Sequence, residues 1–95
     1  RPIAASYDYA LAGYLMYKKT GVPAYRDETL RFVRAYQRAW PQSAWLFAMQ
    51  AVLETDKQQK WAAACRARAL DARSYFLSQA GVDLKEGRVC PTRLW

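Results

Sequence analysis

Apolar side chains recur at three- and four-residue intervals in four successive stretches of this chain, with a helix breaker or a helix cap between neighbouring stretches. That rhythm is the period of an α-helix, not the alternation of a strand. In the first stretch Ile3, Tyr7, Ala10, Leu11, Tyr14 and Leu15 share one helical face, and the helix is expected to run to Lys19. Lys18 and Lys19 suit the negative end of the helix dipole, Gly21 can take the left-handed conformation, and Pro23 cannot continue the helix. A second helix is expected from Tyr25 or Arg26 to Trp40, with Asp27 and Glu28 in its first turn and Pro41 as its stop. Its wide apolar arc leaves a narrow polar strip of Asp27, Arg31, Arg34 and Arg38, in which Asp27 is placed to pair with Arg31.

Ser43 is a natural N-cap for a third helix, and between Ala44 and Leu53 only Gln50 is polar. A helix apolar all round belongs at the centre of the core. Thr55-Asp56-Lys57-Gln58 has the capping-box pattern, so a fourth helix should start there, with Ala62, Cys65, Ala69, Ala72 and Phe76 as a seam of mostly small side chains. One continuous helix to Gln79 is the favoured reading. The alternative is a break capped by Asp71 and a short fifth helix from Arg73 to Ala80. From Val82 to Trp95 the periodicity is lost, and Val89, Cys90, Leu94 and Trp95 suit a strap lying back on the bundle.

The expected fold is therefore all-α: a single helical domain over 1–95, with one hairpin at 3–40, a second at 43–80 and a strap at 82–95. No run approaches the ~18 to 20 apolar residues that a membrane span requires. Histidine and asparagine are both missing, which excludes imidazole catalysis, imidazole metal ligands and Asn-linked glycans. The neighbouring carboxylates, Asp27 with Glu28, Glu54 with Asp56 and Asp83 with Glu86, fall at helix ends, where capping accounts for them. No catalytic set, cofactor or metal site is expected.

Fifteen Lys and Arg against eight Asp and Glu give a net charge of +7, which favours an acidic partner. The excess is spread along the chain, without the concentration on one face that a nucleic-acid binder usually shows. Cys65 and Cys90 could form one bridge, worth roughly 3 kcal/mol by loop entropy, in which case the compartment is oxidising, periplasmic or extracellular. Otherwise Cys65 is a small buried hydrophobe in a cytoplasmic chain.

Phe32-Val33-Arg34-Ala35 followed by Trp40-Pro41, then Trp45 and Leu46 and an Ala-rich helix around Ala62 to Ala69, resemble a degenerate tetratricopeptide (TPR-like) hairpin over about half the chain. The sequence departs from that pattern at Met49 or Gln50, where a small residue is expected, and at Cys65 or Arg66, where an aromatic is expected. The resemblance implies a binding scaffold lined by the first helix of each hairpin.

Candidate contact residues are Tyr9 and Tyr17, which leave the apolar stripe of the first helix, and Arg31, Arg34 and Arg38, whose forked donors suit carboxylate or phosphate. The leading expectation is a non-catalytic module of bacterial type, on its Ala- and Arg-rich usage, that binds a protein or peptide. The alternatives are a basic helical nucleic-acid binder, which lacks any helix-turn-helix, zinc or RNP signature here, and a small secreted protein held by its bridge.

Overall fold

The computed structural model describes residues 3–71, and over these the chain forms four helices and no strand. They are α1 (Ile3–Thr20), α2 (Pro23–Ala39), α3 (Ala44–Leu53) and α4 (Lys57–Leu70). Consecutive helices run antiparallel, as three sets of paired contacts show. Across α1 and α2, Tyr9 meets Phe32 and Tyr17 meets Arg26. Arg34 meets Glu54 and Gln37 meets Gln50 across α2 and α3. Lys60 meets Ala51 and Arg66 meets Phe47 across α3 and α4. Tyr7 and Trp45, edge to face at 5.0 Å, also join α1 to α3.

The core sits where the apolar third helix is enclosed. Leu46, Ala48, Met49 and Leu53 pack with Ala10 and Tyr14 of α1, Leu30 and Val33 of α2 and Ala67 of α4. Ala51 forms a smaller cluster with Ala63 and Ala64.

The ends of the helices follow local chemistry, in places differently from expectation. Gly21 takes φ +71° after α1, the left-handed conformation its position requires. Pro23 opens α2 instead of only closing α1, because the first helical position needs no N–H donor and proline presets its φ. Ser43 precedes α3 but makes no side-chain cap. The cap of α4 is one residue later than Thr55: the Asp56 carboxylate accepts from the Gln59 backbone N–H at 2.9 Å, the same spacing with an ionised acceptor. The favoured continuous helix to Gln79 is overturned, since α4 stops at Leu70 and Asp71 is extended (φ −160°). The residues of the expected fifth helix, of the strap and Cys90 lie outside the described residues.

Two expected faces are also rotated. Leu15 is 51% exposed although the stripe placed it in the core, while Ser6 is fully buried. On α4 the buried small residues are Ala63, Ala64, Cys65 and Ala67, so Cys65 of the expected seam is buried while Ala69 is exposed and Ala62 half-buried. Asp27 pairs with its neighbour Arg26 at 3.0 Å and not with Arg31.

Two details of packing yield measurable consequences. A Cβ on Gly13 would run into Thr29 Oγ1 and lie 3.2 Å from Thr29 Cβ, and Thr29 is buried, so glycine sets the closeness of α1 to α2. Gly13→Ala is expected to destabilise by about 1–2 kcal/mol, overpacking outweighing the ~1 kcal/mol gain in helix propensity. Urea denaturation should show the loss, and adding Thr29→Ala should recover part of it; a stabilised single variant would mean that the helices are not in contact there.

Lys60 Nζ donates to the carbonyls of Ala51 at 2.6 Å and Val52 at 3.3 Å, near the C-terminal end of α3. Burial lowers its pKa below 10.5, against the pull of Glu54. A lowered amine binds fewer protons in the folded than in the unfolded chain just below pH 10.5, so stability contributed by this group rises with pH across that window. Measured against Lys60→Met, the native chain should show that relative gain; parallel pH curves would remove it.

Candidate functional site

The helical rhythm of α1 carries a second stripe besides its core face. Tyr9, Ala12, Gly13 and Met16 stand at i, i+3, i+4 and i+7, and they face Tyr25, Glu28 and Thr29 of α2 across a cleft of about 240 Å³. The close approach at Gly13 and Thr29 makes its floor. Its walls are large apolar groups left in water: Tyr9 is 43% exposed, Met16 40% and Tyr25 38%. The Tyr9 hydroxyl donates to Glu28 Oε1 at 3.4 Å, a long bond, and its ring lies 4.5 Å from that of Phe32. From Phe32 the rings continue along α2, stacked on Tyr36 at 4.4 Å and Tyr36 on Trp40 at 5.2 Å. Spacing of i, i+4 and i+8 places these three rings above one another on the flank of the core, all half-buried.

The remaining candidates are dispersed. Tyr17 is half-buried against the core cluster, with the Arg26 guanidinium over its ring at 5.7 Å. The Arg26 guanidinium is held above its ordinary pKa, first by Asp27 and then by Tyr17. Arg31 and Arg38 are exposed. Arg34 is engaged: its Nη2 donates to Glu54 Oε1 at 2.9 Å and Oε2 at 2.7 Å. Glu54 Oε2 also accepts from Gln50 Nε2 at 3.0 Å, and Gln50 Oε1 accepts from Gln37 Nε2 at 2.7 Å. This run of four polar side chains is satisfied from within and bolts α2 to α3.

Cys65 is buried on α4 and is not a free thiol. Among the described residues no group of three His, Cys, Asp or Glu side chains could hold a metal ion. No helix among them is long and apolar enough to cross a membrane.

No family model, curated relative or solved structure matches this chain. The site must therefore be read from its own chemistry. Tyr9 is the one sequence candidate that lines the cleft; Gly13, Met16, Tyr25 and Glu28 were missed. The signal for Gly13 and Met16 is a second i, i+3, i+4, i+7 set on α1, obscured because apolar residues nearly encircle that helix; Tyr25 and Glu28, on α2, join the site only through the packing of the two helices.

Proposed function

We propose that this chain is a non-catalytic all-α module that binds a protein or peptide through the face where α1 meets α2. The observation that carries the reading is the placement of the exposed large apolar side chains among the described residues: Tyr9, Leu15, Met16, Val22 and Tyr25 all belong to α1, its following turn or the start of α2. Water-exposed groups of this size concentrated on one hairpin suit an interaction surface, and tyrosine and methionine supply rigid and adaptable contact area respectively. Among the described residues lining the cleft Glu28 is the one carboxylate, and the other polar side chains are the Tyr9 and Tyr25 phenols and the Thr29 hydroxyl, a set that favours binding over turnover. The tetratricopeptide-like reading draws on the antiparallel packing of consecutive helices; the second hairpin, α3 with α4, ends at Leu70 and is shorter than the first.

Selection of peptides from a displayed library on the immobilised protein tests the proposal, with a Met16→Asp variant as comparison. Because Met16 is exposed, that variant should keep its helical circular dichroism. Peptides recovered on the parent are expected to bind it at least about tenfold more weakly, as for an anchor residue. Equal binding would remove the cleft as the docking face. Recovery of nucleic acid instead, with affinity falling steeply as salt rises, would favour the basic nucleic-acid binder.

We extend the proposal to a bridge between Cys65 and Cys90 and hence to a chain that works outside the cytoplasm. In support, Cys65 is not a free thiol, the sequence contains one other cysteine, and Cys65 is buried although it lies about 100° around α4 beyond the edge of the arc of Ala63, Ala64 and Ala67. Thiol titration of protein purified without reductant is expected to find no free thiol; two would end the bridge and point to the cytoplasm.

A further inference from the structure

Among the described residues Glu28 is the only charged one lining the cleft, and its carboxylate is paired with no cation there. Its hydrogen bond from Tyr9, at 3.4 Å, leaves Oε2 open. In a chain with fifteen basic side chains and a net charge of +7, an acid left without a counterion at the end of an apolar trough is a local reversal of sign.

We propose that the cleft receives a lysine side chain of the peptide partner, its methylene stem on Gly13 and Met16 and its ammonium on Glu28 between the rings of Tyr9 and Tyr25. This deepens the docking role proposed above and rests on it. Lysine is the cation whose chemistry matches the lining in two respects. Its four-carbon stem buries against apolar surface while the head stays polar, as a trough with a glycine floor and a methionine wall allows. Its compact ammonium needs one open carboxylate oxygen and gains from an adjacent aromatic face. An arginine fork engages a carboxylate in plane through both oxygens and carries a broad, rigid head on a shorter stem, a geometric demand that a compact ammonium on a four-carbon stem does not make.

Titration of the full-length, isotope-labelled chain by NMR, at low salt, tests this with three probes: Nα-acetyl-lysine-N-methylamide and its norleucine and arginine counterparts. The lysine probe is expected to shift the amide signals of Gly13, Met16 and Tyr25 and to bind about threefold more tightly than norleucine, the range for an exposed ion pair. Glu28→Gln, an exposed substitution that should leave the spectrum dispersed, is expected to erase that preference. Equal binding of lysine and norleucine, tighter binding of arginine, or shifts confined to other helices would overturn the assignment. Library peptides that depend on Met16 but carry no lysine preference would do so too, while leaving the docking face in place. Loss of Met16 dependence would instead strike the docking face itself.

Discussion

Leu46→Ala is expected to remove about 3 kcal/mol of stability, within the range for deleting a fully buried leucine and leaving a cavity. Leu46 is wholly inaccessible to water on α3, the helix enclosed by α2 on one side and α4 on the other, so its neighbours cannot collapse into the space without moving helices that are themselves bolted together. A domain of 95 residues has roughly 5–14 kcal/mol in all, so this single change takes a fifth or more of it, and the melting temperature should fall by about 15 °C. Leu15→Ala is the matched control. Both leucines sit in helices at apolar positions, but Leu15 is half exposed, and its truncation should cost under about 0.5 kcal/mol. Urea denaturation followed by circular dichroism measures both. Similar losses at the two sites would mean that α3 is not the enclosed helix.

That contrast also marks what a single sequence can show. Periodicity placed all four helices because burial of an apolar stripe is nearly a one-dimensional code, and Gly21, Pro41 and the Asp56 region punctuate it. For α3 the code left nothing to decide, since almost every position is apolar. For α1 it was ambiguous: with tyrosine, leucine, alanine and methionine around most of the helix, several faces qualify, and only the position of α2 selects Ser6, Ala10 and Tyr14 over Leu15. The same ambiguity hid the cleft. Tyr9 stood out by leaving the expected stripe, but Met16 and Tyr25 become neighbours only because Gly13 lets two helices approach at Thr29, a contact that joins residues sixteen apart. The arginine strip is divided for a related reason. Arg31, Arg34 and Arg38 share a face of α2 by spacing, yet Glu54, the residue that ends α3, pairs with Arg34, and a local pattern contains no information about the partner across the interface.

That partner gives the second large effect. Glu54 has a side chain 6% exposed and Arg34 one 48% exposed, so the pair is buried from the acid's side and wet from the base's side. Arg34→Met removes both charge-assisted bonds and strands a buried carboxylate with Gln50 as its remaining donor. The expected cost is about 2 kcal/mol, below that of a fully buried pair because water can reach the space that Arg34 vacates. Adding Glu54→Leu should recover at least half of this, since the desolvated charge that made the single variant costly is then gone. The double variant is expected to remain a folded four-helix chain, with Gln50 still held by Gln37. A double-mutant cycle by denaturation provides the coupling directly. Additive losses, with no recovery in the double variant, would show that Arg34 and Glu54 act independently and that the contact between α2 and α3 rests on the apolar residues beneath them.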